Sequence, residues 1–184
     1  MSDHLDLLSE AERIAEIAAT HEVRLILIGA LALAAYQYVR TTEDVDIAGN
    51  LSLPQLRLLA EGLQGAGYQV DLRMPDAQDP LGGVLDVRSD AGLVQIISFA
   101  DRFPAVIQDA LNDACLVVRE NSSLPIVPLP HLVVLKLYAG GLKSKADIVE
   151  LLSRNPNEDL EEIEALCNRY RIRGFKEIQK ELRG

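Results

Sequence analysis

The chain is 184 residues long and carries a net charge of −10, with 48% hydrophobic residues, 25% charged residues and a mean hydropathy of +0.09. These values describe a folded protein with one well-buried core and exclude an intrinsically disordered chain. No apolar run is long enough to cross a bilayer, and the acidic N-terminus lacks the basic-then-apolar order of a secretory signal. We therefore expect a cytoplasmic protein with no membrane partner.

The negative charge is unevenly distributed along the chain. Residues 169–184 contain six basic and two acidic side chains, a local net charge of +4, which leaves −14 for residues 1–168. The overall charge argues against broad, non-specific nucleic-acid binding. The basic end is compatible with docking to RNA or an acidic partner, and equally with an ordinary solvated helix face.

The two cysteines, Cys115 and Cys167, are far apart and lack the spacing of a zinc site or a disulfide framework. We expect both to be small buried hydrophobic residues. Unpaired cysteines are typical of a reducing compartment.

Hydrophobic periodicity and turn residues predict alternating helices and strands first, and helices alone near the C-terminus. Ser52 and Pro54 have the chemistry of an N-cap and a first-turn proline, and Ser89–Gly92 that of a hairpin turn. The predicted strands are Val23–Ile28, Val45–Ala48, Tyr68–Met74, Val84–Arg88, Leu93–Ser98, Cys115–Val118 and Leu124–Val127. The predicted helices are Leu5–Thr20, Ala30–Tyr38, Ser52–Gly65, Arg102–Asp113, Pro130–Gly140, Lys143–Ser153, Asp159–Tyr170 and Gly174–Leu182; Pro75–Gly82 is a predicted loop.

This order of elements indicates an α/β (α+β) fold, in which a mixed sheet is flanked by helices. We expect the sheet and its helices to occupy residues 1–128 and a helical subdomain to occupy residues 129–184. The two parts are expected to pack as one compact unit.

Asp44 and Asp46 lie two residues apart on the second predicted strand. Side chains two apart on a strand point to the same face, so the carboxylates converge while Val45 faces the core. Mg²⁺ prefers hard oxygen ligands and takes few of them from the protein. The pair therefore predicts a metal site for phosphoryl or nucleotidyl transfer, reactions that depend on metals and fixed donors.

Gly29 and Ala30 lie where the first predicted strand meets the next helix. A glycine at such a junction lets backbone N–H groups approach a phosphate at the helix N-terminus. Taken singly, these signals have ordinary explanations, because an Asp-x-Asp strand is also typical of a solvated edge and a Gly-Ala junction of close packing.

The two motifs in combination resemble the signature of the polymerase-beta-like nucleotidyltransferase superfamily. In that signature a glycine pair or Gly-Ser precedes Asp-apolar-Asp-apolar by about a dozen residues. Here Ile28-Gly29-Ala30 is followed after thirteen residues by Asp44-Val45-Asp46-Ile47. The run from Tyr38 to Asp46 is similar to the bacterial branch that contains the AbiEii/AbiGii abortive-infection toxins.

A second match to that branch lies downstream, where Leu135–Ala139 and Lys143–Ile148 resemble its helical motif. The resemblance implies that Lys136, and next Lys143, face the triphosphate or the acceptor. It also implies that Arg40 and Thr42 join Gly29 and Ala30 in binding the nucleotide. A second interpretation stays open for each of two residues. Lys136 is also explained as a helix residue whose stem packs against the protein while its ammonium reaches water. Asp147 is explained equally well as a site residue or as a structural residue.

One position departs from the superfamily pattern. A later strand usually supplies a third carboxylate, and here Gln95 stands in that place; its amide oxygen can touch a metal but cannot act as a general base. If the hairpin closes around Ser89–Gly92, Arg88 pairs with Leu93 and Asp86 lies opposite Gln95. Asp86 would then supply the missing metal ligand from the neighbouring strand, whereas a slip of one residue would turn it away.

These matches imply an enzyme that depends on Mg²⁺ or Mn²⁺ and transfers a nucleoside monophosphate from an NTP to a hydroxyl of RNA, protein or a small molecule. Asp44, Asp46 and Lys136 would be its catalytic residues. The toxin-like branch further implies a bacterial toxin with a cognate antitoxin. The alternative is a module that binds nucleotide or a partner without turnover, for which Gln95 is the main support. A metal-dependent hydrolase is less favoured, since it would not require this motif spacing.

Overall fold

The elements of the protein follow the order that the sequence predicts. A computed structural model describes residues 2–75 and 81–183. Residues 76–80 of the predicted loop and the side chain of Leu5 lie outside this description. The strands are β1 (Ile26–Leu27), β2 (Asp44–Gly49), β3 (Gln69–Arg73), β4 (Gly83–Ser89), β5 (Gly92–Ser98), β6 (Leu116–Val117) and β7 (Pro125–Ile126). The helices are α1 (Ser2–Thr20), α2 (Gly29–Ala34), α3 (Leu53–Gly65), α4 (Pro104–Asp113), α5 (Leu129–Ala139), α6 (Gly141–Arg154), α7 (Leu160–Arg169) and α8 (Phe175–Arg183).

All seven strands form one mixed sheet in the order β3-β4-β5-β2-β1-β7-β6. Strand β2 runs parallel to β5 and antiparallel to β1, and β1 runs parallel to β7. The hairpin β4–β5 and the edge strand β3 extend the sheet in antiparallel fashion. The strand that carries Asp44 and Asp46 therefore lies at the centre of the sheet, between β5 and β1.

The central strands bury one face and leave the other face to polar side chains. Val45, Ile47 and Ile96 have no exposed surface and lie on the core face, against which α1 and α3 pack. Asp46 and Gln95 lie at the alternate positions, so the side-chain alternation of the strands directs them to the face opposite the core, as predicted. This division places Asp44, Asp46 and Gln95 together on the open face.

Beyond residue 128 the chain is helical. Helix α5 packs against α4, α6 and α7, and α8 packs against α6. Stacked rings of Phe103 and Tyr138, 4.5 Å apart, and the edge of Tyr170 join α4, α5 and the end of α7. No helix in the described ranges has the length and apolar content needed to cross a membrane. The predicted division at residue 128 stays a prediction.

Several element boundaries differ from the sequence-based ones. Strand β1 contains two residues rather than six. Helix α2 ends at Ala34 rather than Tyr38, because the chain turns at Gln37, which has a φ of +62°. Ser89 and Gly92 belong to the strands, so the hairpin loop contains only Asp90 and Ala91.

The two cysteines have different surroundings. Cys167 is buried and unpaired, as expected, and burial raises the pKa of its thiol to about 11. The expectation for Cys115 is wrong, because this residue is exposed. It follows α4 and precedes β6, the outermost strand of the sheet, whose two residues are also exposed.

Candidate active site

Asp44 and Asp46 lie side by side on the open face of β2. Both side chains are partly buried, whereas Val45 between them is fully buried on the opposite face. The Thr42 hydroxyl donates a hydrogen bond to Asp44 Oδ1 at 2.6 Å and so fixes that carboxylate from the preceding loop. The two carboxylates therefore point into the same space, as predicted, and the Thr42 hydroxyl binds one of them.

The Asp46 carboxylate lies against the backbone of Gly29. Gly29 has φ of +70°, and a Cβ placed on it would come within 2.1 Å of Asp46 Oδ2. The backbone N–H of Ile28 donates to the Asp46 carbonyl at 2.9 Å, which holds the two segments together. Glycine is therefore required here both by its positive φ and by the close approach of the carboxylate. Ala30 follows it as a buried residue.

Burial, and next the neighbouring Asp44 carboxylate, together raise the pKa of Asp46 to about 6. Lys136 and Arg40 act in the opposite direction, because their positive charges favour the ionised form. Two adjacent carboxylates in a partly buried place repel each other, and a divalent cation between them would relieve that repulsion.

The carboxylates open into a cavity of about 480 Å³. Its walls come from the loop before β2, from β2 and β5, and from the start of α6. The described residues that line it are Arg40, Thr41, Thr42, Glu43, Asp44, Asp46, Gln95 and Lys143. Five of the sequence-predicted polar residues, together with Gln95, therefore face one space.

Asp147 is the buried centre of a polar cluster beside this cavity. It accepts a hydrogen bond from Lys136 Nζ at 2.7 Å and one from the Tyr38 hydroxyl at 3.1 Å. Arg40 Nε lies 3.8 Å from Asp147 Oδ1, the oxygen that also accepts from Tyr38. Because α5 supplies Lys136 and α6 supplies Asp147, this carboxylate ties both helices to the loop that carries Arg40.

The end of α6 holds the same loop from a second side. The guanidinium of Arg154 donates to the Gln37 carbonyl at 3.1 Å and lies 5.5 Å from the centre of the Tyr38 ring. Asn155 donates to the Tyr36 carbonyl at 2.8 Å. The segment between α2 and β2 is therefore held by Asp147 near the middle of α6 and by Arg154 and Asn155 at its C-terminal end.

Asp86 and Gln95 are paired as the sequence predicts. The hairpin register places Arg88 opposite Leu93 and Asp86 opposite Gln95, and Gln95 in turn lies opposite Asp46 on β2. Gln95 Nε2 donates to Asp86 Oδ1 at 2.6 Å, and Arg73 Nη2 donates to the same oxygen at 3.0 Å. Asp86 is buried and lies one strand farther from Asp46 than Gln95 does. Its role as a metal ligand stays a prediction.

The donor set fits a magnesium-type ion held by two carboxylates. Among residues 2–75 and 81–183, no group of three or more His, Cys, Asp or Glu side chains is arranged to hold a metal. Mg²⁺ does not need such a group, because one or two carboxylates together with substrate phosphates and water complete its coordination. Asp44 and Asp46 are the residues that would hold it.

Sequence reasoning did not single out Tyr38 as a partner of Asp147, or Arg73 and Arg154. The contact of Arg73 with Asp86 could not be predicted, because no short turn sets the register of β3 against β4. Arg154 lies on the last turn of α6, where a basic residue is ordinary. Tyr38 stood inside the family-like run, but its partner is 109 residues away in the sequence.

The fold is that of nucleotidyltransferases. Solved structures with this arrangement include the solution structure of the antibiotic-resistance factor ANT(2'')-Ia, with a TM-score of 0.56 and 15% identity over 92% of each chain. They also include a crystal structure of ANT(2'')-Ia with adenylyl-2''-tobramycin, with a TM-score of 0.56 and 14% identity over 89% of this chain and 95% of that one.

A third similar structure is an antigenic nucleotidyltransferase-like protein from Paracoccidioides brasiliensis, with a TM-score of 0.54 and 17% identity over 96% of this chain and 92% of that one. No protein-family model and no curated protein sequence matches the chain. The structural likeness confirms the predicted fold class. The AbiEii/AbiGii branch stays a prediction.

Proposed function

We propose that this protein is a metal-dependent nucleotidyltransferase that moves a nucleoside monophosphate from an NTP to an acceptor hydroxyl. The observation that carries the proposal is the shared cavity, in which Asp44 and Asp46 face Arg40, Thr42 and Lys143. Paired carboxylates opposite cations are what a metal-bound triphosphate requires. The nucleotidyltransferase fold of the similar structures supports the same class of reaction.

Asp44 and Asp46 would hold Mg²⁺ or Mn²⁺, which when bound polarises the phosphoryl oxygens and offsets their charge. Thr42 keeps the Asp44 carboxylate in place, and Gly29 admits the Asp46 carboxylate close to the backbone. These contacts fix both ligands before substrate arrives, which reduces the entropy lost on binding.

The cations around the cavity are assigned to the phosphates. Arg40 and Lys143 line it, and Lys136 is close enough to Asp46 to lower the pKa of that carboxyl. In the reaction the acceptor oxygen forms a bond to the α-phosphorus while the bond from phosphorus to the pyrophosphate oxygen breaks. The proton of the acceptor hydroxyl passes to solvent, and pyrophosphate leaves with the electron pair, its charge offset by these cations.

The acceptor classes are RNA, a protein hydroxyl and a small molecule. An RNA or protein acceptor would agree with a toxin that is inhibited by a cognate antitoxin. A small-molecule acceptor would agree with the ANT(2'')-Ia complex, in which the adenylylated molecule is tobramycin. The experiment below compares these three acceptor classes.

A second candidate function is nucleotide binding without turnover. Gln95 favours it, because a neutral amide stands next to Asp46 at the position where the superfamily pattern has a carboxylate. Asp86 lies farther away and already binds Arg73 and Gln95.

One experiment separates the two functions. The purified protein is incubated with Mg²⁺ or Mn²⁺ and each α-labelled NTP, with total RNA, a protein extract or a panel of aminoglycosides as acceptor. We expect label on one acceptor class, and its loss in Asp44→Ala and Asp46→Ala. Asp90→Asn, an exposed carboxylate in the hairpin loop, is the control and should transfer normally. Saturable nucleotide binding with no label on any acceptor would establish the second function instead.

A further inference from the structure

Three polar residues form a line across the open face of the sheet, one on each of three neighbouring strands. Asp46 on β2 is the direct register partner of Gln95 on β5, and Gln95 is that of Asp86 on β4. Neighbouring strands lie about 4.8 Å apart, so the backbones at positions 46 and 86 are separated by about 10 Å. A small cation held by Asp46 at a ligand distance of about 2.1 Å therefore lies nearer to the strand of Gln95 than to that of Asp86.

The hydrogen bonds of Asp86 determine how the Gln95 amide is oriented. An ionised carboxylate only accepts hydrogen bonds, so the Gln95 NH₂ group must face Asp86, and Nε2 lies 2.6 Å from its Oδ1. Arg73 donates to the same oxygen at 3.0 Å and holds the carboxylate in place. Because the NH₂ group is directed at Asp86, the amide oxygen is the end of the Gln95 side chain that remains for a partner on the side away from β4.

The direction away from β4 leads toward β2 and the cavity. Gln95 and Asp46 both line that cavity, and they are direct partners on adjacent parallel strands. A side-chain amide oxygen is a hard, neutral donor of the kind that Mg²⁺ and Ca²⁺ accept. The position of Gln95 therefore offers a third oxygen to an ion held by Asp44 and Asp46.

We propose that Gln95 Oε1 is the third protein ligand of the divalent cation, and that Asp86, held by Arg73, is the positioning residue that orients the Gln95 amide. The inference rests on the proposed function, since it assigns ligands to the metal of that site. It differs from the direct role that the sequence suggested for Asp86, because Asp86 here acts through Gln95 and does not touch the ion.

Binding of Mn²⁺ alone to the full chain, measured by electron paramagnetic resonance, tests this assignment. Gln95→Met keeps the side-chain volume but removes the amide, and we expect Mn²⁺ affinity to fall about tenfold. In Asp86→Asn the new side chain both donates and accepts hydrogen bonds, so either end of the Gln95 amide can face it. We expect Mn²⁺ affinity to fall by a similar factor. In the Gln95→Met background, Asp86→Asn should have no further effect, because the group that it positions is gone.

Asp71→Asn is the matched control. Asp71 is the register partner of Asp86 on the edge strand β3 and is exposed, so this variant removes the same charge one strand farther out. We expect its Mn²⁺ affinity to stay within about twofold of the wild type, because solvent and salt screen an exposed charge at this distance. Circular dichroism and thermal melting establish that each variant is folded.

The outcomes separate this inference from the proposed function. Mn²⁺ binding that requires Asp46 but is unchanged in Gln95→Met overturns the inference and leaves the proposed metal site standing. An Asp86→Asn loss of equal size in the wild-type and Gln95→Met backgrounds shows that Asp86 contacts the ion itself, which also overturns it. Absence of any Asp46-dependent Mn²⁺ binding refutes both. If Asp86→Asn does not fold, the Gln95→Met result alone decides.

Discussion

Lys136 Nζ and Asp147 Oδ2 are 2.7 Å apart, and both side chains are almost completely buried. They come from consecutive helices, α5 and α6, that are joined by Gly140 and Gly141, both at positive φ. The same carboxylate also accepts from Tyr38 and lies close to Arg40. The two residues of the downstream motif thus form one unit, and this unit connects the helical region to the cavity beside β2.

Replacing Asp147 by Leu should destabilise the protein strongly. The Lys136 ammonium would then be buried without its partner, and removal of one member of a buried ion pair costs about 3–5 kcal/mol. The double variant Lys136→Met/Asp147→Leu should recover most of that loss, because an apolar pair of similar volume restores packing without a buried charge. Urea unfolding of the three proteins measures both changes. A double variant no more stable than Asp147→Leu would show that Tyr38 and Arg40, rather than Lys136, determine the stability of this cluster.

The exposed ion pair between Glu150 and Arg154 is the control on the same helix. Glu150→Gln should change the free energy of unfolding by no more than about 0.5 kcal/mol, because solvent screens that pair.

Asp46→Asn should stabilise the metal-free protein at high pH. Burial and Asp44 raise the pKa of Asp46 to about 6, so the folded state holds this proton more tightly than the unfolded chain does. Its contribution to stability is present below about pH 4 and is lost as the pH rises through 6. We expect the variant to match the wild type at pH 4 and to exceed it by about 3 kcal/mol at pH 8. Urea unfolding in EDTA measures the difference, and a constant difference across this range would contradict the prediction.

Gly29→Ala should damage the site and the fold together. The new Cβ would lie 2.1 Å from Asp46 Oδ2, and alanine at φ of +70° is strained. We expect a loss of about 2–3 kcal/mol in unfolding free energy and at least tenfold weaker Mn²⁺ binding, since Asp46 must move. Gly65→Ala is the matched control: nothing lies within 4 Å of its Cβ, and the substitution should be neutral or slightly stabilising. Unchanged Mn²⁺ affinity in Gly29→Ala would show that Asp46 has room to retreat.

His131→Leu should stabilise the protein, and more so at low pH. His131 is buried in α5, and neither of its ring nitrogens has a hydrogen-bond partner among the described residues. Burial lowers its pKa, although Asp113, Asp109 and Glu162 oppose this and Arg169 adds to it. The wild type therefore loses stability as the pH falls below about 6.5, where the unfolded chain binds a proton that the folded state resists.

At pH 8 the gain from His131→Leu should be about 1 kcal/mol, because one buried N–H without a partner is removed. Thermal melting between pH 8 and pH 5.5 should show the advantage increasing as the pH falls. An advantage that shrinks with falling pH would mean that Asp113, 3.6 Å away, stabilises the protonated ring.

The sequence was sufficient for the elements that carry strong local signals. The period of two in β2 placed Asp44 and Asp46 on one face, and the tight turn after Ser89 fixed the hairpin register that pairs Asp86 with Gln95. A short loop leaves few registers, so turn chemistry alone selects one. The helices α3 to α8 followed from their periodicity and caps, because these signals lie within the segments themselves.

Contacts between distant segments were decided only by the tertiary structure. Asp147 meets Tyr38 from 109 residues away, and Arg73 reaches Asp86 across a connection that no turn motif defines. Cys115 proved exposed because the sheet ends beside it, which depends on strand order and not on local composition. By itself the sequence determined which strand face presents Asp44 and Asp46 and which residue of the hairpin lies opposite Gln95. Packing between helices and strands determined which partners hold them, since a side chain's long-range neighbours are set by the fold as a whole.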